Sequence, residues 1–196
     1  MSHQGVGCGG SPISRRTVLM AGIGVGVGLS LESAPGLAQD NAASIRPKEG
    51  DLLVKVGEAS LEPLTPADIA VGAAQVLAWP MDPIDKAPRS GSRLNQLLLL
   101  RVDSDRLSPS TRLRAADGVV AYTAICTHNG CEVVEWSADE QLLSCPCHFA
   151  RYDPRDGARV VDGPAPRALP TLPLKIVGGK LVVAGPLSDR VGFQSA

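Results

Sequence analysis

Cys126-Thr127-His128-Asn129-Gly130-Cys131 and Cys145-Pro146-Cys147-His148 contain all of the chain's five cysteines and three histidines except Cys8 and His3. Cys126 and His128 are one residue apart, and Cys145 and His148 two. Two thiolates and two imidazoles therefore arrive as matched pairs on two loops, each able to reach a small inorganic centre from one side. Two readings of the residues stay open at this level. One is a closed tetrahedral zinc site of Cys₂His₂ type. The other is a 2Fe–2S cluster with two cysteines on one iron and two histidines on the other. Zinc would need no further cysteine, yet each motif carries one more, Cys131 and Cys147.

Around the motifs the chain reads as strands and turns. Aromatic residues make up 3% of the sequence, so the core must be built from Val, Leu, Ile and Ala. The 21 glycines and 16 prolines favour many turns over long helices. Expected strands are Leu52–Val56, Gln75–Trp79, Gln96–Val102, Val119–Ala124, Glu132–Trp136, Gln141–Ser144, Ala158–Val161, Leu172–Val177 and Lys180–Ala184. Val177-Gly178-Gly179-Lys180 reads as a two-residue hairpin turn. A short helix is expected from Ser108 as N-cap and Pro109 in the first helical position. Met81 to Arg93 reads as a loop. The expected fold is all-β, mostly antiparallel, with long loops in its C-terminal half.

The first forty residues look like an address. Ser14-Arg15-Arg16-Thr17-Val18-Leu19-Met20 reads as a twin-arginine export motif, followed by an apolar stretch to Leu31 and small residues at Gly36 and Ala38. Cleavage is expected after Ala38, taking Cys8 with it. A retained membrane anchor is the alternative, although the uncharged run from Thr17 to Leu31 is shorter than the roughly 20 residues a spanning helix needs. The division expected is a signal segment 1–38, a linker 39–50, a domain 51–186 with a small metal-binding subdomain at about 120–166, and a C-terminal tail 187–196. The net charge of −1, with no basic stripe and few aromatics, excludes a nucleic-acid surface. Neither a nucleophile–base constellation nor a phosphate-cradling glycine loop is visible. Arg101, Arg106, Arg112 and Arg114 read as a solvated face, and Trp79 and Trp136 as packing residues.

CTHNGC followed by CPCH resembles the signature of the Rieske iron–sulfur proteins. The resemblance runs from about Tyr122 to Leu174 and includes Gly163-Pro164-Ala165-Pro166, which is similar to the family's proline loop. It implies stacked antiparallel sheets with an inserted cluster-binding subdomain, and one 2Fe–2S cluster per chain. It implies Cys126 and Cys145 on the inner iron, His128 and His148 on the outer iron, and a Cys131–Cys147 disulfide. An oxidising compartment suits such a bond, which would contribute on the order of 3 kcal/mol by loop entropy. Neutral imidazoles in place of two thiolates raise the potential to roughly −150 to +300 mV, against about −400 mV for all-cysteine plant-type clusters. The implied role is an electron-transfer subunit rather than a stand-alone catalyst. Its partners would be a larger redox subunit (a molybdenum enzyme or a cytochrome b) and a c-type cytochrome. Direct quinol oxidation is the alternative.

Three residues depart from the family pattern. Quinol-oxidising members continue the second motif with Gly-Ser-x-Tyr, where this chain has Phe149-Ala150-Arg151-Tyr152. Tyr152 matches the residue whose hydroxyl donates to a ligand sulfur, and Ala150 stands where a serine donates to a bridging sulfide. Phe149 resembles the small subunit of arsenite oxidase, and polar Asn129 replaces a usually apolar residue. One hydrogen bond fewer to an electron-rich sulfur lowers the potential. Ala150→Ser is therefore expected to raise the midpoint in a redox titration; an unchanged midpoint would mean that Ala150 only packs.

Overall fold

The computed structural model describes residues 43–193. The export motif, Cys8, His3, the cleavage point and the last three residues of the tail lie outside the described residues. Among these residues eleven short strands and a four-residue α-helix, with three 3₁₀ turns between them, follow one another: β1 (Leu52–Lys55), β2 (Val76–Met81), β3 (Leu97–Arg101), α1 (Pro109–Arg112), β4 (Val119–Thr123), β5 (Glu135–Ser137), β6 (Leu142–Ser144), β7 (Arg151–Asp153), β8 (Arg159–Asp162), β9 (Thr171–Leu172), β10 (Leu174–Val177) and β11 (Lys180–Val183). All the strand pairs are antiparallel. The all-β, antiparallel architecture expected from the sequence is what the structure has.

Two sheets form. The larger has the order β10-β11-β1-β2-β3-β4-β9, and the smaller β5-β6-β7-β8. In the larger sheet the two edge strands, β9 and β10, are consecutive in the chain and separated only by Pro173. The sheet therefore curls back until its ends nearly meet. Pro173 breaks the single strand expected over Leu172–Val177, because proline has no N–H to offer a ladder.

Leu97-Leu98-Leu99-Leu100 shows how the sheets share a core. A strand points successive side chains to opposite faces. Leu97 and Leu99 join Leu53, Ala78, Val119, Ala121, Leu172, Leu181 and Val183 inside the curled sheet. Leu98 and Leu100 join Val120, Tyr122, Leu143 and Tyr152 on the other side, against the small sheet. An unbroken apolar run is what a strand buried on both faces requires. β3 and β4, paired from Leu97↔Thr123 to Arg101↔Val119, are thus a wall common to both cores. From this wall the Tyr122 hydroxyl reaches the small-sheet side, donating to the Pro154 carbonyl just after β7 at 2.6 Å.

Most other expected elements appear with shifted ends. The hairpin turn pairs Val177 with Lys180, and both glycines take positive φ, as a type I′ turn demands. Ser108 caps α1, accepting from the Thr111 N–H, but the helix stops at Arg112. The strand expected at Glu132–Trp136 begins only at Glu135. Ahead of it Glu132 bridges to Ile125, and the Val133 N–H donates to the Ala124 carbonyl. β7 was not expected, because Arg151-Tyr152-Asp153 flanks one ring with two charges. Its pairing Leu143↔Tyr152 turns that ring inward.

The loop from Met81 to Arg93 carries a charge into the core. Arg89 is 3% exposed and Asp51 2%. The guanidinium grips the carboxylate with two bonds, Nε to Oδ2 at 2.6 Å and Nη2 to Oδ1 at 2.7 Å. Asp51 also accepts the Lys48 N–H, and buried Asn95 donates to the carbonyls of Ile45 and Arg89. Within the segment read as a linker, Arg46 donates to the Leu94 carbonyl and the Gly50 N–H to the Val183 carbonyl. Breaking a buried pair leaves an uncompensated charge. Arg89→Ala should therefore lower the unfolding free energy by about 3–5 kcal/mol in urea titrations, and a loss under about 1 kcal/mol would show that the pair does not hold this corner.

Candidate metal centre

Three loops converge at one end of the shared wall. The first, Ile125–Cys131, follows β4. The second, Cys145–Ala150, joins β6 to β7. The third, Gly163–Arg167, follows β8.

The first two loops repeat one backbone pattern. The Cys126 N–H donates to the Cys131 carbonyl, and the Gly130 N–H to the Cys126 carbonyl. In the second loop the Cys145 N–H donates to the Ala150 carbonyl, and the Phe149 N–H to the Cys145 carbonyl. Each cysteine is thus bonded to the residue five ahead and accepts from the residue four ahead. The residue in that fourth place has positive φ in both: Gly130 at 73° and Phe149 at 58°. Glycine adopts that region freely, whereas an aromatic residue is strained there. Phe149 occupies a position built for glycine and leaves its ring 69% exposed.

The donors are sorted by depth. Cys126 and Cys145 are free thiols, each 1% exposed. His128 is half-buried and His148 exposed. Their Nδ1 atoms lie 3.2 Å apart, with the rings at right angles. Burial above all, with the Cys126 sulfur beside it, pushes the Cys145 thiol up. The Tyr152 hydroxyl lies 3.1 Å from Cys126 Sγ, buried where it can donate to a thiolate. Burial, and then that sulfur, hold the phenol well above its ordinary value, so it keeps its proton.

Cys131 and Cys147 form a disulfide that ties the first loop to the second, with Cα atoms 6.6 Å apart. The third loop is fastened to both. The Thr127 hydroxyl donates to the Arg167 carbonyl at 2.6 Å. Gly163, at φ +87°, lies so close to the second loop that a Cβ there would meet Ala150 Cα at 2.6 Å and the Phe149 carbonyl oxygen at 2.8 Å.

The structure therefore brings Cys126, His128, Cys145, His148, Ala150, Tyr152 and Gly163 to one place. Pro164 and Pro166 are exposed on the third loop, whose close approach to the second is made by Gly163. Ala150 is fully buried. Sequence reasoning passed over the outer supports. Arg93 Nη2 donates to the Gly130 carbonyl at 2.5 Å, and the Phe193 ring lies against Gly130. Arg167 donates to the Gly192 carbonyl at 2.6 Å and pairs with Asp189. No spacing rule links residues so far apart in sequence.

Two adjoining buried thiols and two converging imidazole nitrogens suit a centre that takes sulfur on one side and nitrogen on the other. The chain matches the Rieske [2Fe-2S] domain over residues 88–173. It is 34% identical to the cytochrome bc1 complex Rieske iron-sulfur subunit of Streptomyces lividans, over 74% of this chain and 85% of that protein. It is 34% identical to the Streptomyces coelicolor subunit of the same name, over 74% of this chain and 41% of that protein. A putative respiratory nitrate reductase subunit Rieske of Haloferax mediterranei is 40% identical over 54% of this chain and 48% of that protein. The chain thus spans most of the first relative but less than half the length of the other two. It belongs to the Rieske iron–sulfur protein family and carries a Rieske-type 2Fe–2S cluster. The closed zinc site considered from spacing gives way to this.

Gly163→Ala tests the contact between the second and third loops. The added methyl would force the two apart, and cluster retention against a chelator should fall about 10- to 100-fold. Bleaching at the original rate would show that the contact is dispensable.

Proposed function

We propose that this chain relays single electrons as the small iron–sulfur subunit of a larger oxidoreductase, with Cys126 and Cys145 on the inner iron and His128 and His148 on the outer iron. What supports the assignment is the sorting of donors by depth, thiols inside and imidazoles at the surface. The cluster supplies a site that accepts and returns one electron. The chain's residues set the conditions. Tyr152 donates toward the Cys126 sulfur, the Cys131–Cys147 bond holds the loops in register, and the histidines bring the site within reach of a docked partner. The partners proposed are a catalytic redox subunit, either a molybdenum enzyme or a cytochrome b, and a c-type cytochrome. The segment up to Ala38 would deliver the protein to the periplasm by the twin-arginine route. Among the described residues no helix is long and apolar enough to cross a membrane.

The names of the Streptomyces relatives favour a second reading, quinol oxidation within a cytochrome bc-type complex. There His128 or His148 would meet the quinol directly and take a proton along with the electron. Asn129, exposed beside His128, makes that tip more polar than a quinol site usually is.

An EPR spectrum of the reduced full chain tests the ligand assignment. The average g should fall well below that of all-cysteine clusters, and Cys126→Ser or His148→Ala should abolish the signal. An all-cysteine spectrum would overturn the assignment. Capture of the full chain from solubilised membranes then separates the readings, by the molybdenum subunit or the cytochrome b that accompanies it. A mature protein that starts near Gln39 and washes off membranes would count against the quinol version.

A further inference from the structure

Three sulfurs beside the site form a cluster of their own. Cys131, Cys145 and Cys147 place their Sγ atoms all within 4.8 Å of one another. A fourth, Cys126, lies next to Cys145. In the described state two of the four are joined as the Cys131–Cys147 disulfide and have no thiolate to give. A two-electron, two-proton reduction by a dithiol would break that S–S bond, leave two thiols and turn the dithiol into its own disulfide. The newly made chain in a reducing compartment stands in the same state before the bond forms.

We propose that the disulfide-reduced, cluster-free chain is a tetrathiolate site for a single thiophilic divalent cation such as Zn²⁺, held by Cys126, Cys131, Cys145 and Cys147. Zn–S bonds of about 2.3 Å place tetrahedral neighbours about 3.8 Å apart; Cys131, Cys145 and Cys147 already lie within 4.8 Å of one another, and Cys126 joins them from beside Cys145. Cys145 and Cys147 leave the same turn, and the 6.6 Å between the Cα atoms of Cys131 and Cys147 leaves room for two separate thiolates. Four soft thiolates select zinc over hard cations, and a closed tetrahedron leaves no open position. Cys126 and Cys145 belong to both arrangements, so a zinc ion there and the cluster exclude one another. Forming the Cys131–Cys147 bond removes two of the four thiolates. On this account the bond does more than hold two loops: it closes the site to the wrong metal.

The proposal shares two ligands with the cluster assignment, and a direct titration separates them. The full chain, cluster-free, is titrated with Zn²⁺ against a colorimetric chelator, once with the disulfide intact and once after reduction. The reduced form should take one Zn²⁺ per chain, on the order of 100-fold more tightly than the oxidised form. Cys131→Ser or Cys147→Ser should erase that advantage, whereas His128→Ala with His148→Ala should leave it. Co²⁺ bound to the reduced wild-type chain gives a reading independent of any variant, because its sulfur-to-metal absorption scales with the number of thiolates, here four. Equal affinity in both redox states, a two-thiolate Co²⁺ spectrum, or loss of binding only in the histidine variant would overturn the proposal. None of these results would bear on the EPR signature of the loaded protein.

Discussion

Two thiols must stay dry while two imidazoles a few ångströms away stay at the surface. Everything else in this molecule serves that difference in depth. A buried thiolate is costly unless something stabilises its charge. Here the sulfur of Cys126 has the Tyr152 hydroxyl, and both loops turn backbone N–H groups inward, among them the His128 N–H toward Cys126 Sγ at 3.4 Å. The histidines need the opposite, and they ride the tips of the same loops. One loop pattern used twice, on two different strands, gives both results at once.

The gradient holds only if the two loops start from a rigid base. The wall of β3 and β4 supplies it, packed on one side against the curled sheet and on the other against the small one. The first loop leaves the wall itself, and the second leaves a hairpin that leans on it through Leu143 and Tyr152. The disulfide, the Gly163 contact and the Thr127–Arg167 bond then lock three loop tips that the sheets alone would leave independent. Arg93, Arg167 and Phe193 add an outer brace, so the C-terminal segment works on the site although it lies far along the chain.

Phe149 shows where the common pattern has been bent. The place it fills wants a glycine, as Gly130 does in the sister loop. A ring held in a strained backbone and left largely in solvent, next to an exposed histidine, is not explained by packing.

The sequence by itself determined the chemistry and the class of fold. Ligand type and spacing are local, so CTHNGC and CPCH pointed to the candidate donors before any contact was known. Alternating and continuous apolar runs are local too, and most strands were legible within a residue or two at each end. The structure decided what depends on distance in space. β7 was hidden because a strand with charges on both sides of one ring becomes a strand only when a neighbour pairs with it. The Arg89–Asp51 pair, the clamp of Arg93 and Phe193 on the first loop, and the strain at Phe149 depend on contacts that no periodicity predicts. The same is true of the sulfurs around Cys145: the sequence supplies the cysteines, but only folding gathers Cys131, Cys145 and Cys147 within 4.8 Å of one another, with Cys126 next to Cys145.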